Sequence, residues 1–213
     1  LSEVEAISPE QMTELEQKLP EDLRHKEKEL RQKAYAYIGR VSVEVGDVVN
    51  FQALQVHSLQ HGIRVIEFQT PHYERLIVMF AQKVLTQNHW DTDRAMDLIN
   101  TEPYRLPEPQ FLTEEDGYLE ERIVDFPDFS SERIRMDENV SRKFQCEGRY
   151  HLIICVKGKL RLESQSGSSL ELLPEEAVFL PASSSFYRIT NSGTESMIFL
   201  RAVPVNAHSA KLD

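Results

Sequence analysis

The chain has 213 residues, 40% of them hydrophobic, and a formal charge of -11, which suffices for one large or two small domains with ordinary cores. That acidity argues against nonspecific attachment to nucleic acid or to an anionic membrane surface. No apolar run approaches the roughly 18 residues of a membrane span and no basic-then-apolar leader opens the sequence, so a cytoplasmic protein is expected.

The first 40 residues read as helix. Ser8-Pro9-Glu10-Gln11 supplies an N-cap, a proline for the first turn and a capping-box glutamine. Pro20 restarts a second helix through Leu23, Leu30, Ala34 and Ile38, with Gly39 as its stop, and the charges between them read as a solvated face. At Val41 the period changes. Val41, Val43 and Val45 alternate with polar residues, Gly46-Asp47 turns the chain, and short strands follow at 48–51, 56–59 and 63–68. A helix is expected after Trp90, capped by Asp91 or Thr92 and running through Ala95, Met96, Leu98 and Ile99. Residues 101–116, with three prolines and a cluster of acids, read as a linker. Strands are then expected at 121–126, 152–156, 159–163, 170–173, 177–180, 186–189 and 196–202. Cys146 and Cys155 lack metal-site spacing and read as reduced structural thiols.

One signature occurs twice. Residues 44–53 lie over 173–182 at a constant offset: apolar strand, acidic turn, apolar strand, alanine. Continued without a gap, the alignment sets His57 on Phe186 and Leu59 on Arg188. Such a repeat implies two similar units or one duplicated fold. The single histidine matters because an imidazole can hold a metal, whereas Phe186 can only pack.

The string from Val45-Gly46-Asp47 to Val56-His57-Ser58-Leu59, then Gly62 and Ile66-Glu67-Phe68-Gln69, resembles the second motif of cupin barrels, in the form seen in type I phosphomannose isomerases. Leu152 to Leu160, Ala177 to Ala182 and Phe199 to Ala202 resemble that family's metal-free C-terminal cupin. The resemblance covers about Val41 to Pro204. It implies a mainly β fold with two cupin-like antiparallel β-barrel (jelly-roll) units behind an N-terminal helical segment. The boundaries expected are 1–40 helical, 41–105 a barrel portion with the metal histidine plus a helix, 106–118 a linker, and 119–213 a metal-free barrel. It also implies interconversion of an aldose phosphate and a ketose phosphate, of the mannose-6-phosphate to fructose-6-phosphate type, with zinc as cofactor. On this sequence His57 matches the family's later metal-binding histidine, Glu67 a carboxylate proposed as base, and Arg75 the active-site arginine, after a shorter spacer than usual. The family's upstream Gln-x-His pair and metal-binding glutamate would precede Leu1, so the chain is expected to correspond to a C-terminal portion. A homodimer is left open, since cupin edge strands often pair between chains.

The residue types suit the chemistry. Moving a proton between adjacent carbons needs a carboxylate base, with a cation or Lewis acid for the enediolate oxygen. Glu67, Arg75 and a zinc on His57 would fill those roles, and an arginine fork suits phosphate or enediolate oxygens. Each also has a structural alternative: a satisfied strand histidine, a solvent-facing carboxylate, an arginine paired with an acid. His61 and His72 could add ligands in a rearranged site, while His151 lacks a second ligand at suitable spacing and reads as structural. Two functions therefore stand: a zinc-dependent sugar-phosphate isomerase or part of one, and a noncatalytic cupin that binds a sugar or serves a structural or regulatory role.

Overall fold

The computed structural model describes residues 14, 17–59, 62–70, 75–78, 91–102 and 104–205. They belong to two compact units: Leu1–Asp47 with Phe51–Gly62 and His72–Pro103, and Val48–Asn50 with Ile63–Pro71 and Tyr104–Asp213.

The first unit contains helix α1, Glu21–Tyr35, and the short helix α2, Thr92–Met96. Pro20 precedes α1 as the sequence suggests, acids occupy its first turn and Lys33 its last, which suits the helix dipole. Exposed pairs one turn apart, Glu27–Arg31 and Glu29–Lys33, decorate its surface, and none of its residues is buried. Asp91 stands at the N-cap of α2, but its carboxylate accepts the backbone N–H of Ile77 at 2.9 Å instead of capping the helix. The capping signal at residues 8–11 lies outside the described residues.

The strands expected between 41 and 68 do not form among the described residues. Their backbone is irregular, and Gln55 and Asn100 make one isolated bridge. Alternation gives a strand its faces, but a ladder needs a neighbour at about 4.8 Å. Among the described residues none of these stretches is paired in a ladder, and Val41, Val43, Val56 and Val65 are exposed.

The second unit is a jelly-roll. Ten strands form among the described residues: β1 Gln110–Glu115, β2 Tyr118–Asp125, β3 Phe129–Met136, β4 Ser141–Gln145, β5 His151–Lys157, β6 Leu160–Ser164, β7 Ser169–Leu172, β8 Ala177–Leu180, β9 Phe186–Asn191 and β10 Met197–Pro204. One antiparallel sheet has the order β1-β2-β3-β10-β5-β8 and the other β4-β9-β6-β7. The last eight strands cross between the sheets at every connection but the β6–β7 hairpin, the double Greek-key order of a jelly-roll, the architecture cupins share. The β1–β2 hairpin widens the first sheet beside β3. The expected linker at 106–118 therefore contains β1 and the β1–β2 turn.

The core lies between the two sheets. Ile134, Phe199 and Cys155 stand side by side on β3, β10 and β5, and meet Phe144, Tyr187, Ile189, Leu160 and Leu162 of the other sheet in one cluster. Cys146 and Cys155 are buried free thiols, as read from the sequence, and burial pushes both thiols up.

The duplicated turn is real. In the second unit Leu173 N–H donates to the Glu176 carboxylate at 2.8 Å and Glu176 N–H to the Leu173 carbonyl at 3.0 Å. In the first unit Glu44 N–H donates to the Asp47 carboxylate at 2.8 Å and Asp47 N–H to the Glu44 carbonyl at 3.1 Å. Gly46 and Glu175, equivalent in the repeat, both have positive φ, at 103° and 75°. Local chemistry has thus built the same turn twice, while the flanking strand forms only at β8.

Candidate functional site

The inward face of the first sheet changes character along its strands. Two rows are mostly apolar; the next brings Arg122, Glu132, Arg201 and Ile153 side by side across β2, β3, β10 and β5. This is an alternating charge row inside a barrel, and each member is placed there by period-2 alternation from a core neighbour. Glu132 is two residues from Ile134, Arg201 two from Phe199, and Ile153 two from Cys155.

Arg201 organises the row. Its Nη2 donates to Glu120 Oε1 at 2.7 Å, and its Nε lies 3.4 Å from Glu132 Oε2. The other Glu120 oxygen accepts the Tyr118 hydroxyl at 2.6 Å. Glu132 Oε1 accepts the Ser130 hydroxyl at 3.0 Å and has Arg122 Nε at 3.8 Å. The Arg201 guanidinium also covers the Phe144 ring at 4.9 Å, and that of Arg142 covers Tyr118 at 4.7 Å. Burial opposes the charge of Arg201, but Tyr187, Glu132 and Glu120 outweigh it, so its pKa stands above the ordinary guanidinium value. Burial, reinforced by Glu120, pushes the Tyr118 hydroxyl well up.

His151 and Tyr187 meet from opposite sheets, with His151 Nδ1 2.8 Å from the Tyr187 hydroxyl. The same hydroxyl faces Arg201. Either group can donate in the His151–Tyr187 contact, depending on the tautomer of the imidazole. The imidazole is buried, and its Nε2 has no hydrogen-bond partner among the described residues. Burial first, then the charges of Arg201 and Arg149, pull its pKa down to about 4. Burial also raises the Tyr187 hydroxyl. An open depression of about 460 Å³ lies between the loops that lead into β5 and β9, lined by Gln145, Glu147, Gly148 and residues 182–185.

None of the residues chosen from sequence belongs to the Arg201 row or to the His151–Tyr187 pair. His57, in the first unit, is exposed; its ring stacks on Phe51 at 3.9 Å and Nδ1 contacts the Gln55 carbonyl at 2.8 Å. Arg75, in the same unit, is exposed. Glu67 is exposed in the second unit. His61 and His72 lie outside the described residues. Zinc takes three or four N, S or O ligands at about 2.0–2.3 Å. Among the described residues no three His, Cys, Asp or Glu side chains are grouped to hold a metal. Inside the barrel the one histidine points a nitrogen at Tyr187 and both carboxylates of the Arg201 row are engaged, so the donor set does not fit zinc there. Phe186, the counterpart of His57, is half-buried, with Lys143 Nζ 3.7 Å over its ring.

Sequence reasoning missed the Arg201 row, whose members lie far apart in the sequence on four different strands. Only the pairing of β2, β3 and β10 brings them together, and β3 and β4 were not foreseen as strands.

No protein-family model and no curated protein matches the sequence. Among solved structures, the chain is similar to KdgF from Halomonas sp., with 17% identity, a TM-score of 0.40, and coverage of 47% of this chain and 90% of that one. It is similar to the polyketide cyclase RemF from Streptomyces resistomycificus, at 18% identity and a TM-score of 0.41, over 48% of this chain and 80% of the other. A third is a cupin-superfamily sugar phosphate isomerase from Silicibacter pomeroyi, at 15% identity and a TM-score of 0.38, over 46% and 71%. No helix among the described residues is long and apolar enough to cross a membrane.

Proposed function

We propose that the jelly-roll is a noncatalytic cupin-like domain with a structural or regulatory role. The observation that carries this reading is the Arg201 row: Arg201 bonds both Glu120 and Glu132, and Tyr118 takes the remaining side of Glu120. A general base needs a carboxylate or imidazole that can exchange a proton with substrate. Here the carboxylates are held by a guanidinium, and the imidazole Nδ1 is engaged with the Tyr187 hydroxyl.

The second reading is an aldose–ketose isomerase acting on a sugar phosphate. The string at 45–69 that resembles phosphomannose isomerases favours it, with His57 as metal ligand, Glu67 as base and Arg75 as oxyanion or phosphate partner. In that reading zinc supplies Lewis-acid polarisation of the sugar oxygens when bound.

One experiment separates the two. Metal content is measured on the purified chain after incubation with zinc and dialysis, followed by a mannose-6-phosphate to fructose-6-phosphate assay. The noncatalytic reading expects no turnover. Turnover that disappears in Glu67→Gln, with zinc retention lost in His57→Ala, establishes the isomerase and overturns the first reading.

A further inference from the structure

The stretch Arg40-Val41-Ser42-Val43-Glu44 joins the end of α1 to the acidic turn at 44–47, and its backbone is unusually open. Residues 39–43 form no backbone–backbone hydrogen bond among the described residues. Val41 and Val43 are 49% and 37% exposed, and a Cβ added at Gly39 would meet nothing within 4 Å. Open backbone with alternating valines is the template for pairing with another strand.

The order of side chains says which strand. Read antiparallel against itself about Ser42, the segment is self-complementary: cation, valine, serine, valine, anion. Arg40 falls opposite Glu44 of a second copy, Val41 opposite Val43, and Ser42 opposite Ser42. Opposed residues in an antiparallel pair share a face, so both copies place Val41 and Val43 on one side and the charged residues on the other. A two-fold axis perpendicular to the ladder generates this pairing, the isologous arrangement of a homodimer. The hydrogen bonding is compatible as well. With Ser42 at a non-hydrogen-bonded position, the four ladder bonds use only the N–H and C=O groups of Val41 and Val43. The backbone of Glu44, already engaged with Asp47, is not required.

We propose that two copies of this chain associate through antiparallel pairing of Arg40–Glu44 about a two-fold axis at Ser42. Short two-stranded pairing is weak, so the dimer is concentration-dependent.

The test is charge exchange, read by sedimentation velocity and light scattering on the full chain. Mass should rise from 24.7 kDa toward double with concentration. Arg40→Glu sets like charges opposite each other twice, as does Glu44→Arg, and each should raise the dissociation constant about tenfold or more. The double swap Arg40→Glu/Glu44→Arg should return it to within about threefold of the parent. A mixture of the two single variants should form a heterodimer where neither forms a homodimer, because every cross-strand pair is then of opposite sign. Far-UV circular dichroism checks that the variants fold alike. A monomer at every concentration overturns the proposal. So does a dimer indifferent to both reversals, or single-variant losses that neither the swap nor the mixture restores.

Discussion

At the scale of single residues, the second unit depends on polar groups buried inside its barrel. Arg201 is the pivot, since Glu132 is nearly fully buried and Glu120 largely so. Removing one partner of a buried pair leaves an uncompensated charge, typically about 3–5 kcal/mol. Arg201→Met should therefore cost several kcal/mol in urea unfolding at pH 7. Adding Glu120→Gln and Glu132→Gln to it should recover much of that loss. If the triple variant is no more stable than Arg201→Met, the row is not the source of the cost. His151 gives a pH prediction. Its pKa falls from 6.5 in the unfolded chain to about 4 in the fold, so between those values the unfolded state binds the extra proton. Stability from the neutral imidazole is complete above about pH 6.5, declines as pH falls through the window, and levels off below about pH 4, with a span of at most about 3 kcal/mol. Other carboxylates titrate nearby, so the useful quantity is the difference between parent and His151→Gln. Equal stability slopes from pH 6.5 to 4 in both would refute a buried neutral His151.

At the scale of elements, turns tell more than strands. Gly158 joins β5 to β6 with φ 80°, and a Cβ there would lie 3.0 Å from the Met197 Cα. Gly167, between β6 and β7, has φ 84° but open space around it. Both Ala substitutions meet the left-handed penalty of about 1 kcal/mol, while Gly158→Ala adds a backbone clash of about 1–3 kcal/mol. Thermal unfolding should rank Gly158→Ala clearly below Gly167→Ala; equal losses would mean that β10 yields freely at Met197. The same elements mark what could be read from the sequence. Strands β5 to β10 were legible because most of their inward residues are apolar and their turns carry glycine, serine or acids. β8 was placed to the residue. β3 was not, because its inward positions include Glu132 and its outward ones Arg133 and Arg135, so charge masks the period. β4 carries Arg142 and Lys143, and β1 is an exposed edge interrupted by a bulge beside residues rich in proline and acid. The acidic turn at 44–47 was legible and forms as its copy at 173–176 does. The strands around it were read from alternation alone, which specifies a face and not a neighbour. The candidate site was less legible still: Glu120, Glu132 and Arg201 are each unremarkable in sequence and acquire meaning only from register.

At the scale of the molecule, the two units differ in how their apolar surface is disposed. The second buries Ile134, Met136 and Phe199 of its six-stranded sheet and Tyr187 of its four-stranded sheet completely. Among its described residues the first buries only Ile77 and Ala95, while its valines at 41, 43 and 45 and Leu19, Leu23 and Leu30 remain exposed. Opening free energy follows hydrogen bonding and burial, so protection should be sharply uneven. Hydrogen exchange read by mass spectrometry should show β3, β5 and β10, each paired on both sides or at the barrel centre, exchanging last. Peptides across 39–43 and 63–69 form no backbone–backbone hydrogen bonds among the described residues and should exchange within the first seconds of labelling in dilute protein. Raising the concentration separates these two segments. Pairing about Ser42 engages the N–H groups of Val41 and Val43, so protection should appear there and leave 63–69 unchanged. Protection of 39–43 already present in dilute monomer would instead mean that these valines have found a neighbour within their own chain. Protection that rises at 63–69 alone would place the self-association on Ile63–Gln69 and not on Arg40–Glu44.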